Sequence, residues 1–293
     1  MKTLLSISSH VVHGYVGNRA ITFPLQYMGW DVDAINTTNF SNHPGYGSFQ
    51  GSKASEASIE QVIHGLAAIL DLGGFDLILT GYCPNADVLL MVKEKIVEVL
   101  SARTSRGSSS SSGKPHWVVD PVLGDNGKLY VSEEVIPVYK EILSTGLVSL
   151  ITPNQFEFET LSGSKISDWP SCKDALERFS TEYQVANIVI SSVAIENQLY
   201  CVAYSSPHSF SHLPIKRIDC HFNGCGDLFT ALVADEFHND GHLITPQGLA
   251  KVLSKLHNIL KLSYDIEVKS TGQAPKLVKD IKLVAAKDFL LEE

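Results

Sequence analysis

Paired cysteines and long apolar runs are missing from this sequence, and we expect no leader segment. The five cysteines are odd in number and scattered, and no two have the CxxC spacing typical of zinc sites. No apolar run reaches the roughly 18 residues of a membrane span. No N-terminal stretch combines basic residues, an apolar segment and a cleavage site. We therefore expect a reduced cytoplasmic protein, with an additional nuclear location left open, and no disulfide framework or membrane partner.

Basic residues are also in deficit. The chain has 23 Lys and Arg against 32 Asp and Glu, so its formal net charge is −9. A surface of this sign repels polyanions, which argues against a nucleic-acid partner. Hydrophobic residues make up 44% of the 293 positions, enough for a sizeable core. That length fits one large α/β domain or two small ones. With no internal repeat and no dividing linker, we expect a single domain over residues 1–293.

What the chain does contain is an alternation of short apolar strands and helical patterns. Strands are expected at residues 3–8, 30–35, 76–80, 117–119, 147–151 and 187–191, and helices at 18–28, 55–70, 87–100, 132–143, 171–183, from 227 and 245–264. Asn18 is expected to cap the first of these helices. This order predicts βαβ units, and hence an α/β fold with a mostly parallel central sheet and helices on both faces, in three αβα layers. Residues 199–204 and 209–213 are typical of an antiparallel strand pair. In such sheets, ligands bind beyond the carboxyl ends of the strands.

One segment contains a Ser/Gly run whose side chains are too small and polar to pack in a core. Residues 101–114 read SARTSRGSSSSSGK, and a Ser/Gly run of this kind is typical of a flexible connection. We expect a mobile surface loop at about 101–115, between a helix and a strand.

The stretch Gly224-Cys225-Gly226-Asp227 precedes an apolar helix. Two glycines at a helix N-terminus favour an anion, because free amides and the helix dipole attract phosphate. A site that only bound phosphate would gain nothing from the carboxylate of Asp227. A site that transfers phosphate to an alcohol needs both the amides and a base.

Other polar stretches follow the predicted strands. SSHVVHGYVGN contains Ser9 and two glycines that allow close backbone approach, although an ordinary glycine turn explains the pattern equally well. Its two histidines, His10 and His13, have no third ligand, so we do not expect a metal there. FSNHPGYG, residues 40–47, is typical of a turn or flap.

Acidic and amide side chains end two further strands. DPVLGDNGKLY carries Asp120 and Asp125, whose oxygens suit Mg²⁺ but could equally be solvated surface acids. TPNQFE carries Asn154 and Glu157, which have the spacing of a helix capping box. The same pair could instead face a nucleotide–metal complex.

Recurrence favours the functional interpretation. Polar residues at Ser9, Asp120, Thr152, Ser191 and Asp227 would converge on one edge of one sheet. The amides of Gly224, Cys225 and Gly226 would bind the phosphoryl charge and Asp227 would accept the hydroxyl proton. Cations held by Asp120, Asp125 and Glu157 would offset the repulsion between Asp227 and the polyphosphate.

The chain resembles a known family in these blocks. GCGDLFTA resembles the glycine-x-glycine-aspartate signature of the ribokinase-like kinases. SHVVHGYVGNRAITFPLQYMGW, FSNHPGYG, LTGY, DPVLGDNGKLYVSEEVIPVYKE and ITPNQFEFETLSG are similar to the pyridoxal kinases within that superfamily. The resemblance covers residues 4 to about 237 and is weak in the serine-rich segment. It implies a ribokinase-like fold and ATP-dependent phosphorylation of the 5′-hydroxyl of pyridoxal, pyridoxine or pyridoxamine.

Site roles follow from the resemblance, residue by residue. Asp227 is implied as the base, with the amides of Gly224, Cys225 and Gly226 around the transferred phosphate. The ring would contact Ser9, Pro44, Tyr82 and Asp227. Mg²⁺, or another divalent cation, would be held by Asp125 and Glu157, and a monovalent cation, K⁺ or Na⁺, by Asp120, Thr152 and Ser191. ATP would contact Asp120, Tyr130, Asn154, Glu157, Ser191, Ser192 and Cys225. Residues 123–130 would cover ATP as a lid, and the protein would be a homodimer.

Three positions depart from the family pattern. Relatives often have threonine where this chain has Pro44, threonine or a small residue at Cys225, and threonine in place of Ser191. Pro44 puts the contacts to ring substituents in question rather than the reaction class. Two alternatives stay open: a hydroxymethylpyrimidine kinase, and a non-catalytic nucleotide- or vitamin-binding regulator.

Overall fold

The computed structural model describes residues 1–105, 113–206 and 209–292. Its strands are β1 Lys2–Ser8, β2 Trp30–Asn36, β3 Thr38–Phe40, β4 Gly51–Lys53, β5 Leu77–Thr80, β6 His116–Val119, β7 Gly124–Asp125, β8 Lys128–Leu129, β9 Val148–Ile151, β10 Asn187–Ile195, β11 Gln198–Ser205, β12 Ser209–Pro214, β13 His221–Phe222 and β14 Leu277–Val278. Its α-helices are α1 Asn18–Tyr27, α2 Glu56–Ala67, α3 Ala86–Ser105, α4 Val135–Ser144, α5 Gln155–Ser162, α6 Trp169–Tyr183, α7 Cys225–Asn239 and α8 Pro246–Thr271, with short 3₁₀ turns at Pro44–Tyr46, Leu72–Gly74 and Lys287–Leu291.

One eight-stranded sheet, in the order β12-β11-β10-β9-β6-β5-β1-β2, forms the centre of the fold. The six strands from β10 to β2 are parallel, and β11 and β12 extend the sheet antiparallel at one edge. This arrangement confirms the predicted fold class and the predicted antiparallel strand pair. Because the parallel strands all point the same way, their carboxyl ends share one edge of the sheet.

Each face of the sheet is covered by its own helical layer. Successive residues of β6 alternate between the layers: Trp117 and Val119 pack in the cluster formed with α2 to α6, and Val118 packs in the cluster formed with α1, α7 and α8. All three side chains are fully buried. A strand buried on both faces reads as a continuous apolar run, which is how this strand appears in the sequence.

Several features differ from expectation, and helix α8 continues to Thr271 rather than ending at residue 264. Helix α3 continues to Ser105, so the first part of the expected loop at 101–115 is helical, while residues 106–112 lie outside the described residues. Strand β10 passes the expected end at Ser191 and reaches Ile195, with a register shift between Ile190 and Val193. Gly17, not Asn18, is the N-cap of α1.

The side chain of Asn18 has a different task from capping. Its Nδ2 donates to the carbonyls of Ser8 at 3.1 Å and Ile35 at 2.9 Å, and its Oδ1 accepts from Ser6 Oγ at 2.7 Å. A buried amide satisfied in this way ties β1 to β2 just where the loop after β1 begins.

Small paired strands outside the main sheet have no counterpart in the sequence prediction. β3 and β4 form an antiparallel flap whose tip is the turn Pro44–Tyr46, so residues 40–47 do belong to a flap. β7 pairs with β8, and β13 pairs in parallel with β14 from the C-terminal part of the chain. Within the described parts of the chain, no helix is both long and apolar enough to cross a membrane. A single domain over residues 1–293 stays a prediction.

Candidate active site

The carboxyl edge of the parallel sheet gathers most of the predicted polar residues. Ser9 directly follows β1, Asp120 follows β6 and Thr152 follows β9. Ser191 lies level with them because its N–H donates to the carbonyl of Pro153 at 2.9 Å, just beyond the end of β9. The N-terminus of α7 reaches the same edge. The structure therefore brings together residues that are up to about 220 positions apart in the chain.

Gly224 allows α7 to start close to the loop after β1. It has a left-handed φ of 80°, and a Cβ added there would overlap the carbonyl oxygen of Tyr15. Any residue with a side chain would be strained at this position, both by the positive φ and by the overlap of its Cβ. Cys225 and Gly226 then form the first turn of α7, where N–H groups have no helical acceptor. A Cβ on Gly226 would meet no atom within 4 Å, so the space over this turn is open to a ligand.

Asp227 is the third residue of α7 and is partly buried. Its carboxylate accepts a hydrogen bond from the backbone N–H of Gly17, which places it between the helix and the loop after β1. Burial raises the pKa of Asp227 to about 6, and that hydrogen bond opposes the rise. The group is therefore ionised at neutral pH yet close enough to its pKa to accept a proton.

Two further carboxylates lie behind this turn. Glu157 is 5% exposed, and burial raises its pKa to about 7 although it accepts hydrogen bonds from the N–H groups of Asn154 at 2.8 Å and Leu123 at 3.0 Å. Burial, then the charges of Glu157 and Asp227, raise the pKa of Asp120. None of these carboxylates forms an ion pair with a described Lys, Arg or His. Such a cluster favours cations.

The capping box predicted for α5 is present, and it is part of the same cluster. Asn154 Oδ1 accepts from the N–H of Glu157 at 2.9 Å, while Glu157 Oε2 accepts from the N–H of Asn154. The Nδ2 of Asn154 donates to the carbonyl of Gly124 in β7 at 2.8 Å. The structural and functional interpretations therefore coexist, because one pair of side chains caps the helix and fixes the β7–β8 turn.

Asp125 lies at the rim of this cluster and is exposed. Its carboxylate accepts from the N–H and the Nδ2 of Asn126, at 2.7 and 2.9 Å. Its charge still contributes to the raised pKa of Glu157, which shows that the two groups are near each other. In the chain that the structure describes, no group of three or more His, Cys, Asp or Glu has the geometry of a protein-only metal site. A cation here would need water or substrate oxygens as well.

Thr230 belongs to the site, and sequence reasoning missed it. Its Oγ1 donates to Asp120 Oδ2 at 3.0 Å and lies 2.9 Å from the Oγ1 of Thr152. This hydroxyl joins the ends of β6 and β9 to α7. The signal was available, since Thr230 follows Asp227 by three positions and shares its helix face. The apolar pattern of α7 hid it.

The loop after β1 and the strand β3 contribute an apolar cluster that the sequence analysis also overlooked. Val11, Val16 and Phe40 form a small cluster of their own, apart from the two main cores. Tyr82 follows β5 by two residues, and its carbonyl accepts from the Oγ1 of Thr37 at 2.7 Å. Pro44 is exposed at the flap tip, where it begins the 3₁₀ turn.

The remaining predicted residues are Tyr130, Cys225 and Ser192. Tyr130 is 65% exposed, and burial, then the charges of Asp125 and Glu157, raise the pKa of its phenol. Burial, then the charge of Asp227, raise the pKa of the Cys225 thiol to about 11, so the thiol stays neutral. Ser192 follows Ser191 in β10 and is partly buried.

Known proteins resemble this chain in sequence and in fold. The model of the phosphomethylpyrimidine kinase family matches residues 56–251. A putative pyridoxal kinase of Saccharomyces cerevisiae is 38% identical, over 100% of this chain and 93% of that protein. The pyridoxal kinase of Homo sapiens is 34% identical, over 92% of this chain and 88% of that protein.

A solved structure matches almost the whole fold. The pyridoxal kinase from Leishmania donovani in complex with ADP and pyridoxine superposes with a TM-score of 0.84 and 33% identity, covering 98% of this chain and 95% of that one. With relatives above 30% identity along nearly its full length, the chain belongs to the pyridoxal kinases of the ribokinase-like superfamily.

Proposed function

We propose that this protein transfers the γ-phosphoryl group of ATP to the 5′-hydroxyl of pyridoxal, pyridoxine or pyridoxamine. One observation carries the proposal: the Asp227 carboxylate stands beside the free N–H groups at the start of α7, over an open space. Anion-binding amides and a base are thereby placed on the same turn. This is the combination that phosphoryl transfer to an alcohol requires.

In this mechanism, Asp227 accepts the proton of the substrate hydroxyl as its oxygen attacks the γ-phosphorus in line with the leaving ADP. The N–H groups of Gly224, Cys225 and Gly226 donate to the phosphoryl oxygens as charge develops on them. The pKa of about 6 leaves Asp227 ionised at pH 7 without making it too weak a base. Its contact to the N–H of Gly17 orients the carboxylate.

The acidic cluster fits a role in cation binding. Asp125 and Glu157 would hold Mg²⁺, or another divalent cation, together with water and phosphate oxygens, since Mg²⁺ rarely binds in all-protein cages. Asp120, Thr152 and Ser191 would surround K⁺ or Na⁺, with Thr230 fixing the first two. Such cations neutralise the charge of the polyphosphate beside Asp227. The raised pKa of buried Glu157 supports this, because it reports a carboxylate that lacks a counter-charge.

The two substrates would occupy opposite ends of the sheet edge. ATP would lie along Tyr130, Asn154, Ser191 and Ser192, with residues 123–130 as its lid. The ring would lie against Ser9, Tyr82 and the apolar cluster of Val11, Val16 and Phe40, under the flap that carries Pro44. We also propose a homodimer in the cytoplasm.

Turnover with individual ring substrates tests the function. We expect ATP- and Mg²⁺-dependent ADP release with each B6 vitamer, and kcat/KM for hydroxymethylpyrimidine at least about 100-fold lower, the range that pocket contacts can discriminate. Because the family model that matches this chain is that of the phosphomethylpyrimidine kinases, a pyrimidine substrate is the second candidate. A preference for the pyrimidine would reverse the assignment. Binding without turnover of any ring would instead support the regulator. The Asp227→Asn variant controls for contaminating kinases.

A further inference from the structure

Asp280 holds the tip of the flap, yet it has no part in the mechanism above. Its carboxylate accepts a hydrogen bond from the O–H of Tyr46, and the same Oδ2 lies 3.5 Å from His13 Nε2. The other oxygen abuts Gly14, where an added Cβ would overlap it. With its side chain 15% exposed, Asp280 is enclosed between the flap tip and the loop after β1.

The segment that carries Asp280 is itself bonded to the approach to α7. β14 pairs with β13, and the N–H of His221 donates to the carbonyl of Lys276 at 2.9 Å. The Nδ2 of Asn223 donates to the carbonyl of Lys279 at 3.2 Å. Asn223 is the residue before Gly224. Asp280 therefore links the flap to the same chain segment that positions the first turn of α7.

The base and the tip of the flap are held in different ways. Backbone hydrogen bonds fix the strand end of the flap. The N–H of Val12 donates to the carbonyl of Phe40 at 2.8 Å, and the N–H of Phe40 donates to the carbonyl of His10 at 3.1 Å. No residue of the tip turn Pro44–Tyr46 is buried. The tip is held by the bond from Tyr46 to Asp280 and by two contacts to the Tyr46 ring. The Lys279 ammonium lies 4.9 Å from the centre of that ring, and the centre of the His13 ring lies 6.1 Å from it.

We propose that Asp280 is a positioning residue that latches the flap tip through Tyr46 and thereby sets the affinity for the ring substrate. The identity of that substrate rests on the function proposed above. Without the latch, the tip and Pro44 would be free to move away from the loop after β1, and the ring would lose one wall of its pocket. Of the proposed nucleotide residues, only Cys225 adjoins this segment, and the bonds of His221 and Asn223 that join the two do not involve the Asp280 side chain. The other proposed nucleotide residues lie on other elements and should be unaffected.

Two substitutions test the latch, and the chain offers a matched control. Tyr46→Phe removes only the donated O–H, and Asp280→Ala removes the carboxylate that accepts it. Tyr27 repeats the arrangement on the surface: its O–H donates to Asp288 Oδ1 at 3.1 Å, and Lys287 Nζ is 5.6 Å from its ring centre. Tyr27→Phe therefore removes an equivalent bond away from the flap.

We expect each latch variant to raise KM for pyridoxal about 5- to 30-fold, the effect of losing one hydrogen bond to a carboxylate. The turnover number and KM for ATP should stay within about twofold of wild type. The double variant should have a KM for pyridoxal no higher than that of the more affected single variant, because both substitutions remove the same bond. Tyr27→Phe should change none of these constants. A vitamin KM within twofold of wild type in both latch variants, or an equal rise in KM for ATP, would overturn the proposal.

Hydrogen exchange of the ligand-free protein separates this inference from the proposed function. Amides of the flap, residues 38–53, should exchange faster in Tyr46→Phe and Asp280→Ala than in wild type or Tyr27→Phe. This readout needs no substrate, so it holds even if the ring substrate is another alcohol. Unchanged exchange in Tyr46→Phe, the variant least able to disturb folding, would show that the tip is held by other contacts.

Discussion

Replacing Asp227 with asparagine separates the proposed catalytic role of this side chain from its effect on stability. Asparagine has the same shape, and its Oδ1 can still accept the hydrogen bond from the N–H of Gly17. It cannot accept the substrate proton. We therefore expect the turnover number to fall by roughly 10²- to 10⁴-fold, the range for loss of a general base. ATP should bind as tightly as before or slightly more tightly, because one negative charge beside the phosphates is gone.

The same variant should be more stable than wild type at pH 8. Burial raises the pKa of Asp227 from 3.8 to about 6, so the folded state disfavours the charged form. That difference corresponds to at most about 3 kcal/mol, and partial exposure to water reduces it to about 1 kcal/mol. A raised carboxyl pKa destabilises the fold above about pH 6 and has no effect below about pH 4. The gain in Asp227→Asn should therefore be present at pH 8 and absent at pH 4.

Urea unfolding of the ligand-free protein at both pH values, with single-turnover kinetics, measures the two effects. Asp174→Asn, an exposed position on α6, controls for the substitution itself. A folded Asp227→Asn protein that keeps more than about a tenth of the wild-type turnover number would refute the role of base. A loss of more than about 1 kcal/mol at pH 8 would contradict the electrostatic argument.

Three further predictions concern the neighbouring residues. Glu157→Gln should raise the Mg²⁺ concentration for half-maximal rate by about 10-fold or more. The free energy of unfolding should change little, because relief of the buried charge offsets the lost bond to the N–H of Asn154. If a Mg²⁺ titration shows unchanged dependence, Glu157 has only the capping role. Thr230→Val should lower the free energy of unfolding by about 1–3 kcal/mol, since Asp120 loses a buried donor. An unchanged free energy of unfolding in urea would show that water replaces the hydroxyl. Pro44→Thr should change KM for the vitamin more than KM for ATP, because proline cannot supply a hydroxyl contact; equal changes in steady-state kinetics would place Pro44 outside the ring pocket.

The site was predictable where it depends on strand direction and local capping. Asp120 and Thr152 end apolar strands, and parallel strands bring such ends together without further information. The capping box of Asn154 and Glu157 is a spacing of three residues and is visible in the sequence alone. These local and topological rules account for most of the polar edge of the sheet.

The sequence could not reveal contacts made by short, irregular segments. The pairing of β13 with β14 joins residues more than 50 positions apart with two residues on each side, too few for any periodicity to show. Asp280 therefore looked like an ordinary charge near the C-terminus. Asn18 was assigned as a helix cap because its type favours that position, but its burial against β1 and β2 decided its hydrogen bonds instead.

Helix α7 connects the proposed active site directly to the hydrophobic core. Its 15 residues form a rod of about 22 Å. Its first turn carries Asp227, and every residue from Leu228 to Phe237 is buried against its surroundings. A helix transmits displacement along its axis with little compression, so repacking at Phe237 would shift the base relative to the phosphate. Substitutions far from any ligand can therefore tune the reaction rate, and selection on activity would reach into the core through this helix.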